Sequence, residues 1–195
     1  SKKQEEKVEE IIRLLALSQK KIRFVTGTKV NFLHKLINEK YLLQVIENGV
    51  HTLAYVDADF KLEELVKRIV KIKETDIKHN SWQPLLFNSE TFDEFHSQSP
   101  KELHKLSTHE AIGPELKCVI KDLIDNNQEF DNVSCMVMDT KSEVMQVVDV
   151  LFYLSGRNNV WYVDYEQVEE DKIFIVPETY KKFIDDINKW LAVFF

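Results

Sequence analysis

Four histidines, His79, His96, His104 and His109, fall within the stretch 79–109, and Glu110 follows the last of them. A metal centre built on a helix takes two ligands three or four residues apart on one face and a third from elsewhere. His104 and His109 are five apart, and the run His109-Glu110-Ala111-Ile112-Gly113 lacks the second histidine of a His-Glu-x-x-His motif. This spacing suits solvated or capping histidines better than ligands. Asp139 closes the apolar run 133–138, and the carboxyl end of a central strand is where α/β proteins place functional acids. An aspartate there serves equally to cap the next turn. Asp164 with Glu170-x-Lys172 imitates the acids and lysine of metal-dependent nucleases, but these residues straddle a predicted hairpin loop. Asp139, Asp164, His104 and His109 thus form an alternative reading as a metal-dependent hydrolase or nuclease.

The other chemistries lack their residues. The sequence holds no Gly-x-Gly-x-x-Gly, no Walker loop, no Gly-x-Ser-x-Gly elbow and no cysteine-nucleophile signature. It has only four glycines, too few for phosphate-cradling loops, and no cofactor is expected. Cys118 and Cys135 make no Cys-x-x-Cys pair and sit in apolar runs, as buried free thiols of a reducing compartment do.

A net charge of −7 repels phosphate backbones, which argues against nucleic acid as a partner. The densest positive cluster, Lys20-Lys21-Ile22-Arg23, is placed at the end of a predicted helix, where cations complement the dipole. No apolar run approaches the roughly 20 residues that span a bilayer, so no membrane partner is expected. The first seven residues hold no hydrophobic signal core, so a cytoplasmic location is expected.

The elements that would position these residues are clearest in the C-terminal third. After the strand-like run 133–138, Thr140 and Glu143 have capping-box spacing and Val144, Val147, Val148, Leu151 and Phe152 recur at helical steps, so a helix is predicted from Lys141 towards Gly156. Two aromatic strands follow at 160–165 and 172–176, then a closing helix with Pro177 in its first turn. Earlier in the chain, an amphipathic helix over 3–19 leads into a strand at 22–26. A short helix, or a strand from Val30, comes next, and then a hairpin turning at Asn48-Gly49. Asp57-Ala58-Asp59 caps the helix that follows.

Both halves therefore read as α-β-α-β-β-α. The expected fold class is α+β, with mixed or antiparallel sheets and flanking helices. The chain is read as a single compact domain over 1–195. Pseudo-duplication as 1–78 and 110–195, around an irregular connection 79–109, stands beside convergent element order as an open alternative. Within the connection an edge strand near Pro84, a capped helix from Ser89 and a capping box at Ser99-Pro100-Lys101-Glu102 are expected. The segment 82–95 resembles the strand-then-capped-helix segment of bacterial SseB-like domains; the likeness is confined to that segment and implies no functional residue.

Aromatic residues crowd the C-terminal third beyond what one helix face and two strand faces need. Trp161, Tyr165, Phe194 and Phe195 are the candidates for a partner-binding patch. Together with the missing catalytic motifs this points to a non-enzymatic protein-binding or regulatory module. Its acidic balance suits a basic protein partner that it would neutralise or regulate. The sequence carries no indication of homo-oligomer formation.

Overall fold

A computed structural model describes residues 1–70, 82–164 and 171–195. Among them lie α1 (Lys2–Ala16), β1 (Lys20–Thr26), β2 (Lys29–Lys35), β3 (Tyr41–Glu47), β4 (Val50–Tyr55) and α2 (Leu62–Val70). Next come β5 (Leu85–Asn88), α3 (Ser89–Ser97), α4 (Pro100–Ser107) and α5 (Pro114–Asp125). Finally there are β6 (Asp131–Asp139), β7 (Val144–Ser155), β8 (Val160–Asp164), β9 (Lys172–Glu178) and α6 (Tyr180–Phe194). This is the expected α+β class, with the strands in one antiparallel sheet ordered β4-β3-β2-β1-β6-β7-β8-β9-β5. The chain divides into two compact units, Ser1–Val70 with Asn132–Val150 and Asn188–Phe195, and Lys71–Asp131 with Leu151–Ile187.

In the first unit, β1 to β4 form an up-and-down meander, and β6 pairs with the free side of β1. The turn between β3 and β4 is the one Asn48-Gly49 dictates: both residues have positive φ, 50° and 75°, and Glu47 faces Val50. Directly opposed residues share a sheet face. Ile22, Leu33 and Cys135 therefore lie on one face, and Arg23, Phe32 and Ser134 on the other. Leu14 of α1 packs with Leu36 and Leu42. Only Leu14 of α1 is buried, which leaves Val8 and Ile12 exposed.

The second unit has its core between α3, α4 and α5 and the strands β5, β8 and β9. Phe87, Phe95, Leu103, Val119, Ile120, Leu123, Leu154, Trp161 and Ile175 make one buried cluster. The capping box expected at Ser99 opens α4: Glu102 N–H donates to Ser99 Oγ at 3.3 Å and Ser99 N–H to Glu102 Oε2 at 2.8 Å. The cap of α3 is Asn88 rather than Ser89, with Thr91 N–H donating to Asn88 Oδ1 at 2.7 Å.

Two predicted elements are corrected and one open choice is resolved. The segment 141–155 holds no helix; it is a turn and the 12-residue strand β7. Its valines Val144, Val147, Val148 and Val150 are β-branched and fit a pleated surface better than a helix. The supposed capping box is an aspartate turn: Asp139 accepts from Lys141 N–H at 2.9 Å and Ser142 Oγ–H at 2.8 Å, and Glu143 takes φ +56°. The segment from Lys29 takes the alternative of a strand, with Asn31 and Leu33 buried in alternation. Pro177 belongs to β9, opposite Trp161, and lies beyond the Lys172–Ile175 stretch that β5 covers, where its missing N–H breaks no ladder bond. The element order that occurs twice is consequently α-β-β-β-β-α, from α1 to α2 and from α5 to α6.

Candidate functional site

One polar cluster of the second unit centres on Asp122, a carboxylate only 1% exposed. Leu123 and Val119 turn the helix α5 towards the core, and Asp122 goes with them. Its Oδ2 accepts from the Trp161 indole at 2.9 Å and from the Cys118 thiol at 3.6 Å, and its Oδ1 accepts from Arg157 N–H at 3.1 Å. Burial pushes this carboxyl above its ordinary value, opposed by the hydrogen bonds from Arg157, Trp161 and Cys118. Gly156 leaves the room it needs: a Cβ there would lie 2.1 Å from Asp122 Oδ2. Asn126 Nδ2 and Tyr180 Oη tie the same corner to the carbonyls of Ser155 and Gly156. Burial pushes the Cys118 thiol up to about 12, with the Asp122 charge adding to it. A thiol so rarely ionised is no nucleophile near neutral pH, and the cluster works as a brace between α5 and the β7–β8 turn.

The residues singled out in the sequence are dispersed. Trp161 is 0% exposed, inside the core, so it presents no surface to a partner. Tyr165, His79 and Glu170 lie outside the described residues. Phe194 and Phe195 are partly buried and stack at 5.6 Å, with Phe195 also 5.7 Å from Tyr41. Lys20 Nζ lies 5.2 Å over the Phe194 ring and donates to Phe194 O at 2.9 Å. Asp139 organises the β6–β7 turn, and Asp164 sits in β8 opposite Phe174. His104 is an exposed residue of α4; His109 is exposed, and its Nδ1 accepts from Ala111 N–H at 3.2 Å. Among the described residues no group of three or more His, Cys, Asp or Glu side chains is placed to hold a metal ion.

Two features were not singled out from the sequence. The first is the edge strand β4, which ends the sheet order and has five of its six residues exposed. Val50 is 64% exposed and Tyr55 47%. The second is the face of β1 and β2 that carries Lys21, Arg23 and His34. Expected at a helix end, the cluster 20–23 lies in a strand, and alternation sends Lys21 and Arg23 to one side and Lys20 to the other. The period-two pattern of 20–25 was the available signal. Compared with known proteins, the chain matches no protein-family model and no curated protein.

Proposed function

We propose that this protein is a non-enzymatic binding module that takes an extended, basic segment of another protein as an added strand along β4. One observation carries the reading: Val50-His51-Thr52-Leu53-Ala54-Tyr55 is an exposed sheet edge that contains neither a charged residue nor a proline. Proteins guard such edges with lysines, prolines, bulges or very short strands, because an unpaired row of N–H and C=O groups is a template for another chain. The opposite edge, β5, is four residues long. Among the described residues no such guard protects β4. Asp57 and Asp59 follow it directly, and the chain carries a net −7, so a cationic segment is the complementary partner. The neutralising or regulatory role is the consequence of that charge match.

The test is binding of extended peptides of opposite charge, read by amide hydrogen exchange. A basic peptide is expected to slow exchange of the outward-facing amides of β4. Val50→Lys with Thr52→Lys, which places two cations on the edge, is expected to abolish that protection while leaving the far-ultraviolet spectrum unchanged. Equal binding of basic and acidic peptides, or protection elsewhere than β4, would sink the proposal.

A further inference from the structure

In the first unit, Lys21 of β1 stands directly opposite His34 of β2, and Arg23 stands between Phe32 of β2 and Ser134 of β6. These residues share one face. Followed through the register, the residues that β1, β2, β3, β4 and β6 contribute to this face include no carboxylate. Lys21 Nζ lies 5.1 Å from the Phe32 ring centre, and Arg23 Nη2 donates to Ser134 Oγ at 3.2 Å. Arg23 Nε is buried without a hydrogen-bond partner.

His34 adds an independent sign. It is 4% exposed, and its Nε2–H donates to Gln44 Oε1 at 2.9 Å, while Gln44 Nε2 donates to His51 Nδ1 at 3.1 Å. This relay assigns the tautomer, because Gln44 can offer only its oxygen to His34 once its amide nitrogen serves His51. Nδ1 of His34 is left buried and unpartnered beside Lys21. Buried polar groups are nearly always partnered, and buried charges nearly always paired.

We propose that Lys21, Arg23 and His34 form a binding site for a phosphate-type dianion on this sheet face. The helix α1, which carries Glu5, Glu6, Glu9 and Glu10, packs on this face at Leu42, yet among the described residues neither Lys21 nor Arg23 makes an ion pair. Two unpaired cations match a dianion, whereas a monoanion would leave one of them uncompensated. The guanidinium fork, with Nε and Nη edges, fits tetrahedral oxygens, and lysine supplies a point charge. The present electrostatics are unfavourable: burial, followed by the Arg23 charge, holds the Lys21 amine below its ordinary value. Burial also holds the His34 imidazole down, the Gln44 bond opposing it and the Lys21 charge adding to it. A bound dianion reverses these repulsions.

The experiment is titration of the full chain with inorganic phosphate, followed by the ring resonances of His34 and the guanidinium resonance of Arg23. Potassium chloride at matched ionic strength and succinate as a charge-matched dicarboxylate are the comparisons. Saturable shifts with phosphate alone, and a rise of the His34 pKa at saturation, are expected. Arg23→Gln and Lys21→Met should each weaken binding about ten-fold or more, as loss of a charge-assisted hydrogen bond does. Identical responses to phosphate and chloride would overturn the site, and succinate binding as tightly as phosphate would overturn the phosphate assignment. Both comparisons are made on the unsubstituted chain, so they decide even if a variant does not fold.

Discussion

Asp122 shows how a single buried acid sets the stability of its surroundings. Its carboxylate satisfies the Trp161 indole and the Arg157 amide, so its removal would strand the buried indole at about 1–3 kcal/mol and leave the part-buried Arg157 amide without its acceptor. Burial nevertheless raises its pKa above the ordinary 3.8. Between 3.8 and the higher folded value the native state holds more protons than the unfolded chain, so stability falls as pH rises through that window. Urea unfolding of the unsubstituted chain and of Asp122→Asn from pH 3 to pH 7 should show the former losing stability relative to the latter as pH rises, on top of the opposite contribution that the lowered Glu102 and Asp139 carboxyls make in both; parallel curves would refute it. The residue scale is also where the sequence misled most. Trp161 looked like a surface anchor because composition counts aromatic residues without saying which way a strand turns them. Its indole points at Asp122, 39 positions earlier in the chain, and no local pattern reports that pairing.

At the scale of elements, caps and turns whose chemistry is local were readable. Ser99→Ala removes a reciprocal cap of α4, a helix with only eight residues over which to absorb the loss. It is expected to cost about 1 kcal/mol in equilibrium unfolding, and a Ser99→Asp variant should retain most of the stability. The Asn48-Gly49 hairpin and the edge position of β5 were legible for the same reason, because turn geometry and the absence of a proline N–H act within a few residues. The strand β7 was not, and β2 was legible only as one of two alternatives. Their apolar residues satisfy helical and alternating spacing at once, and the choice was made by strands from elsewhere: Val30 to Lys35 pairs with both β1 and β3. The candidate sites suffered from the same error. Once the cluster 20–23 is assigned to a helix end, the shared face of Lys21 and Arg23 disappears from view, and an edge strand is defined only by the neighbours it lacks.

For the molecule as a whole, charge and topology set what it can meet. A net −7 gives a long-range field that accelerates encounter with a basic segment and is screened over about 8 Å at physiological salt. Association of a basic peptide with β4 should therefore slow steeply between low and high salt, while its dissociation rate changes little; stopped-flow measurement of both rates checks this, and a salt-independent on-rate would contradict it. No helix among the described residues is long and apolar enough to cross a membrane. The repeated order α-β-β-β-β-α fits either an ancient duplication or the ease with which four antiparallel strands form a meander between two helices. A last consequence lies in the turns. Glu39, Gln128, Glu143 and Asp171 all adopt positive φ, a conformation that favours glycine, in a chain with only four glycines. Each holds a strained backbone worth about 1–2 kcal/mol, partly offset by the entropy glycine would lose. Glycine at the exposed Glu39, Glu143 and Asp171 is thus expected to raise the heat tolerance of this protein without disturbing the core, the β4 edge or the cationic face, whereas Gln128 is held by bonds to the Phe95 and Gln98 carbonyls.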